Sequence, residues 1–320
     1  MKTRLSALSI AFLALPLIAA AQGESALRQQ HEKQLEAARS ALASLAANPG
    51  AGNAGRAKHA AALRDEAVAL NLLGRPGEAL GKLRQAAELA PLNLNIRMET
   101  AVALDYLGRH DEAAQAYDDL LLKIQSWRAE RVKALKAGVR DSPSAQDEDV
   151  FGVSLAITEN AALNNVLRGR LDQALMQFAQ IHETRSALAG PDMTAGNAAA
   201  WRVWLTARSR AVDGLPPNEA TRHMIASLRT TTPCHDELLR LWGGKGHWQK
   251  ILEAINGMDV SAAEKEKLLT GARFFAAGYY RYIKRDTATA LELLDAAEAL
   301  PFDGCVERLF IRREIAELRK

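Results

Sequence analysis

Few groups in this 320-residue chain could do chemistry, and each lacks a companion that its chemistry needs. Gly50-Ala51-Gly52-Asn53-Ala54-Gly55 has the glycine spacing that lets a backbone approach a pyrophosphate, but that device follows a β-strand. An Ala-rich helical stretch ending at Asn48-Pro49 stands there instead, so Asn48 to Gly55 reads as a loop. Gly243-Gly244-Lys245-Gly246 lacks the spacing and the Ser or Thr of a phosphate-cradling loop. His182-Glu183 has no second histidine four residues on, so two imidazoles cannot converge on zinc from one helix face. Cys234-His235 makes no site alone and reads as a surface histidine beside a bridged cysteine. No Gly-x-Ser-x-Gly elbow occurs. The carboxylates fall mostly on charged helix faces, where solvation accounts for them. No catalytic residue, metal or cofactor is therefore assigned, although two glutamates meeting across a groove could still hydrolyse a glycan.

Composition points to a packed, soluble chain: 48% hydrophobic and 25% charged. Residues 1–21 read as a cleavable secretory signal, with Lys2 and Arg4, an apolar run from Leu5 to Ile18 broken by Pro16, and small residues to Ala21. The run is too short to span a bilayer, so the mature chain is expected in the periplasm or outside the cell, without membrane insertion. Its loss takes away two of the cations behind the formal charge of +3, leaving no field to gather nucleic acid. Cys234 and Cys305 are the two cysteines. In an oxidising compartment one disulfide between them is the economical reading, with two separate buried thiols as the alternative. They lie about two repeats apart in an extended stack, so the bond requires the C-terminal segment to fold back or the middle of the chain to pack as a bundle.

The elements are helices in a repeating unit. Leu72-Leu73-Gly74-Arg75-Pro76-Gly77-Glu78-Ala79-Leu80 matches Tyr106-Leu107-Gly108-Arg109-His110-Asp111-Glu112-Ala113-Ala114, and the two turn glycines lie 34 positions apart. Leu63, Ala67 and Leu70 recur at helical spacing before Gly74, and Ala79, Leu83 and Ala86 after it, until Pro91. Ala101, Gly108, Ala113 and Tyr117 take the matching places in the second unit, and Ala162, Gly169, Ala174 and Phe178 in a third. On these residues the chain resembles the tetratricopeptide repeat family. The predicted fold is an all-α solenoid of helix-turn-helix repeats with degenerate middle repeats and terminal capping helices.

The expected order is a signal peptide (1–21), an N-terminal helix and loop (22–56), two clear repeats (57–122), and an extended basic helix with a polar loop (123–154). A third repeat (155–190), degenerate repeats around Gly214 and Gly246 (195–260), and a C-terminal repeat with a capping helix (261–320) follow. In the last repeat Arg285 replaces the turn glycine.

The resemblance implies a partner-binding inner face lined by the first helix of each hairpin. Carried over by position, that face holds Arg64, Val68 and Asn71, then Asn95, Met98, Val102 and Asp105, then Glu159 and Leu163, and finally Phe275, Tyr279 and Tyr282. Val68 and Glu99 stand where a carboxylate-clamping member of the family has asparagine, so such a clamp is not expected. The implied function is a scaffold for protein partners of the cell envelope. The alternatives are a polysaccharide-binding part of an export system and a glycan-acting α-solenoid enzyme.

Overall fold

The computed structural model describes residues 25–48, 52–136, 145–186, 193–299 and 307–320. Expectations that fall on the signal segment, the polar loop at 137–144 and Cys305 lie outside the described residues. The helices are α1 (Ala26–Ala47), α2 (Gly52–Leu72), α3 (Pro76–Leu89), α4 (Leu94–Tyr106), α5 (His110–Lys136), α6 (Ala145–Leu167) and α7 (Leu171–Ser186). After these come α8 (Met193–Val212), α9 (Pro217–Ser227), α10 (Pro233–Trp242), α11 (Trp248–Asn256), α12 (Ala262–Tyr279) with a π-helical end at Tyr280–Lys284, α13 (Thr287–Glu298) and α14 (Glu307–Leu318). No strand occurs among the described residues.

From α2 to α13 the helices pair as six hairpins, and one backbone device closes the first helix of each. Gly74, Gly108, Gly169, Gly214 and Gly244 all adopt φ between 69° and 75°, and Arg285 adopts 56°. The left-handed residue lets the next amide reach back to the last turn. Arg75 N donates to Leu70 O at 2.9 Å, Arg109 N to Leu104 O at 2.9 Å and Arg170 N to Asn165 O at 2.8 Å. Leu215 N and Lys245 N repeat the bond to Arg210 O and Arg240 O. Glycine takes this conformation without the clash a Cβ would bring. The structure moves the fifth turn to Gly244, because Gly246 sits where a Cβ would strike the Leu241 backbone and serves close packing instead. Residues predicted as loop also turn out to be helical: α2 starts at Gly52 and α6 at Ala145.

In the first three hairpins a pair of alanines stands on the facing sides of the two helices: Ala67 and Ala79, Ala101 and Ala113, Ala162 and Ala174. All are fully buried. Small side chains bring the axes together, and Leu83, Tyr117 and Phe178 fill the space beside them. Two cores result, one from α1 to α6 and one from α6 to α14.

The second core is a bundle around Trp201. Its ring lies 5.5 Å from Phe178, 5.4 Å from Phe274, 5.3 Å from Phe275 and 5.0 Å from Phe310. Offset and edge-on rings at such separations attract beyond their buried area. Gly278 makes room for the Trp204 indole, which a Cβ there would strike. Helix α14 folds back into this bundle, and the Arg313 guanidinium donates to Leu167 O at 2.9 Å, at the end of α6. The expected C-terminal capping helix is thus only partly an outer surface. Arg312 and Arg313 are exposed, while Arg308 and Glu314 are buried.

Helix α1 joins the two ends of the repeat array. The Glu266 carboxylate of α12 accepts from Ser25 Oγ at 2.5 Å and from the amides of Ala26 and Leu27 at 3.1 Å each. These amides have no partner within the helix, and the positive end of its dipole favours the carboxylate. Further along, Arg39 of α1 reaches Glu66 of α2 at 3.0 Å, and Lys82 of α3 reaches the same carboxylate at 2.8 Å.

Two substitutions test the backbone argument. Gly81→Ala, in the middle of α3 with open space around it, should raise unfolding free energy by about 0.5–1 kcal/mol. Gly108→Ala should lower it by about 1–2 kcal/mol, the cost of a Cβ in the left-handed region. Denaturant midpoints shifting in the same direction would sink the assignment of the turn. Gly52 is no loose-loop control for such an experiment, since it too has positive φ.

Candidate functional site: the inner face of the first three hairpins

The first helices of successive hairpins lie side by side, α2 on α4 and α4 on α6, and the residues expected on their inner face divide into two sets. Arg64, Val68, Asn95, Val102 and Glu159 keep part of their surface open. Asn71, Met98, Asp105 and Leu163 are buried. One helix position further round than the open stripe puts a side chain between neighbouring repeats, and these four fill that layer.

The C-terminal aromatic members of the predicted face are closed off. Phe275 packs edge-on to Trp201 of α8, Tyr279 packs against Trp242 of α10, and the Tyr282 hydroxyl meets Glu314 of α14. All three are buried, Tyr279 to 3% exposure, so none lines an open groove. Spacing along α12 could not reveal this, because the covering groups come from α8, α10 and α14.

An ionic lattice fixes that closure. Arg208 bonds Glu314, and also Glu317 at 2.8 Å, while Arg281 reaches Glu314 at 2.5 Å and Glu317 at 3.0 Å. Burial opposes the Glu317 charge, but the two guanidiniums prevail and hold its carboxyl down to about 2. Burial likewise opposes the Arg208 charge, and the surrounding Tyr282, Glu314 and Glu317 overcome it.

Between the second and third repeats lies a second polar network. The Asp105 carboxylate accepts from Asn164 Nδ2 at 2.8 Å and contacts His110 Nδ1 at 2.9 Å. Burial raises the Asp105 carboxyl, and these two partners partly offset the rise. Asn71 holds the same place one repeat earlier, but its side-chain amide has no hydrogen-bond partner among the described residues. The residues corresponding to His110 and Asn164 are Pro76 and Ala103 there, and neither side chain can bond to it.

Glu99 is the site residue that the position-by-position transfer left out. It lies on α4 with no hydrogen-bond or ion-pair partner among the described residues, and burial lifts its carboxyl to about 7. Arg64, on the neighbouring helix, favours the charged form without reaching bonding distance; its guanidinium is held by Asp65 at 2.7 Å. The signal available in the sequence was a carboxylate 34 positions after Asp65, at the same place in the next repeat. An unpaired carboxyl beside an open face can accept a cation or hydrogen-bond donor from a partner.

The geometry of the hairpins decides the architecture. The fold is an all-α solenoid of helix-turn-helix repeats that resemble tetratricopeptide repeats. No protein-family model matches the chain, and no curated protein matches it either. Among solved structures it is similar to BtubC from P. vanneervenii, at 16% identity over 92% of this chain and 93% of that one, with a TM-score of 0.43. It is also similar to a tetratricopeptide repeat protein from Parabacteroides merdae, at 12% identity over 92% and 98%, with a TM-score of 0.42. At these scores the turns and crossings carry the assignment by themselves.

No group of three metal-ligating side chains occurs among the described residues. Cys234 and His235 are both buried, which corrects the reading of a surface histidine. Imidazole Nε2 lies 2.9 Å from Asn197 Oδ1 and Nδ1 lies 2.6 Å from Thr232 Oγ1. Burial lowers the His235 imidazole to about 4 and raises the Cys234 thiol, so both groups are neutral at pH 7. Cys234 is a free thiol in the structure, and it lines one cavity together with Glu307, two residues beyond Cys305.

Two measurements follow. Because the folded carboxyl of Glu99 titrates above the ordinary value of 4.5, its ionisation destabilises the fold increasingly from about pH 4.5 to 7. Glu99→Gln should therefore match the wild type in Tm near pH 4 and exceed it above pH 7; a gap independent of pH would contradict the buried-carboxyl account. Alkylation should modify the buried Cys234 thiol slowly in the folded protein and rapidly in denaturant, and equal rates would contradict its burial.

Proposed function

We propose that the chain is an exported scaffold of a cell-envelope assembly that holds a protein partner along the face of α2, α4 and α6. One observation carries this: the inner face is open over the first three hairpins, with Arg64, Val68, Asn95, Val102 and Glu159 part-exposed. In the second half the corresponding aromatics are sealed by the protein's own helices. A rigid strip of mixed apolar and charged side chains on adjacent parallel helices suits an extended or helical segment, with Val68 and Val102 giving apolar contact and Arg64 and Glu99 giving polar register. Residues 1–21, read as a secretory signal, support export. No described helix is long and apolar enough to cross a membrane.

Affinity capture from envelope extract tests the reading. Wild-type chain should retain a defined partner, and Asn95→Arg with Val102→Glu should cut that retention by about tenfold, the equivalent of ~1.4 kcal/mol, at unchanged Tm. The control Arg84→Glu, on an exposed position of α3, should retain it fully. Equal capture by all three proteins would remove the inner face from consideration.

A further inference from the structure

The repeat supplies its own measure of what covers each first helix. In α4, Ile96 and Ala103 are shut in, and Glu99 is desolvated, because α2 lies on that side. The residues 34 positions earlier are Ala62, Ala69 and Asp65. Helix α1 covers Ala62 and Ala69 as the second helix of a preceding hairpin would, and α3 and α5 cover α4 and α6 in the same way. No first helix precedes α2 among the described residues. Its flank is open at Asp65, whose side chain is 55% exposed where Glu99 is only part-exposed, while Ala61, Val68 and Leu72 are half-buried, as Asn95, Val102 and Tyr106 are on α4.

The result is an apolar groove of about 790 Å³ between α1 and α2. Ala37, Ala41 and Leu45 form one wall and Ala61, Val68 and Leu72 the other. The α1 wall runs from Gln34 to Leu45, about 16 Å or three helical turns. Alanine on both walls allows a third backbone to approach as closely as the paired alanines do inside the hairpins. Charge narrows the occupant further. Within the array, Arg64 of the covering helix stands toward Glu99 of the covered one. In the same register, a helix laid on α2 would present its own cation to Asp65, whose present partner is Arg64 of its own helix.

We propose that this groove is a first-helix seat that receives a three-turn helix from another protein, small and apolar on its buried side, with a Lys or Arg opposite Asp65. The proposal rests on the scaffold reading and specifies where and how the partner docks. It extends the stack by one helix at the α1 end, so the partner completes a hairpin with α1.

A helix-stabilised synthetic peptide of about fourteen residues, with an Ala/Leu stripe and a single Lys, is the probe, and fluorescence anisotropy against the full chain is the readout. Saturable binding is expected, weakened about tenfold by Ala61→Arg, which fills the groove from a half-exposed position. Replacing the peptide Lys by Glu should weaken binding to the wild type by a similar factor, and Asp65→Lys should restore it. Absence of saturable binding, or affinity indifferent to both Ala61→Arg and the charge exchange, overturns the proposal. So does self-association of the wild type in sedimentation that Ala61→Arg abolishes, because the occupant is then a second copy. If Asn95→Arg with Val102→Glu still cuts partner capture about tenfold while the groove variants leave it intact, the seat falls and the scaffold reading survives.

Discussion

The architecture depends on the reversal of chain direction at the end of each first helix, where a residue in the left-handed region turns the next amide back onto the last turn. Five glycines and Arg285 perform it. Because the reversal is tight, the two helices of a hairpin start in contact and stay so only if their crossing holds small side chains. The buried alanine pairs satisfy that condition. Neither feature is sufficient alone: alanine without the turn gives one long helix, and the turn without alanine holds the helices apart.

That local rule was legible because both parts of it are local. The glycine spacing and the flanking alanines fall within a few residues of each other, so the first three hairpins could be read directly. The fifth turn was misplaced by two residues because Gly243, Gly244 and Gly246 crowd together, and only the backbone distinguishes the one that reverses the chain from the one that permits close approach. Arg285 could be read as a missing glycine, but not as a left-handed residue after a π-helical end, since that strain is paid for by packing from elsewhere.

The site was legible in part, and the boundary has a physical reason. A position-by-position transfer assumes that every repeat sees only its neighbours. Val68, Asn95 and Val102 obey that assumption and remain on an open face. Phe275, Tyr279 and Tyr282 violate it, because α8, α10 and α14 converge on α12 and bury them. Glu99 could be read only as a departure from the carboxylate clamp, for the opposite reason: its character comes from what α2 covers, a property of the pair of helices and not of its own position.

The capture of the start of α1 by Glu266 gives the array a boundary condition that a linear stack lacks. A row of repeats ordinarily frays from its two ends, and each end repeat is held on one side only. Here the first and last units share a helix, so losing either exposes surface on the other, and unfolding has no cheap place to begin. The same contact spans 241 residues of sequence. During synthesis the opening turns of α1 therefore wait for most of the chain to emerge before their capping carboxylate exists. Closure at α1 is therefore a late, long-range event, as is the return of α14 onto α6 and α8, whereas the hairpins themselves form from contacts close in sequence.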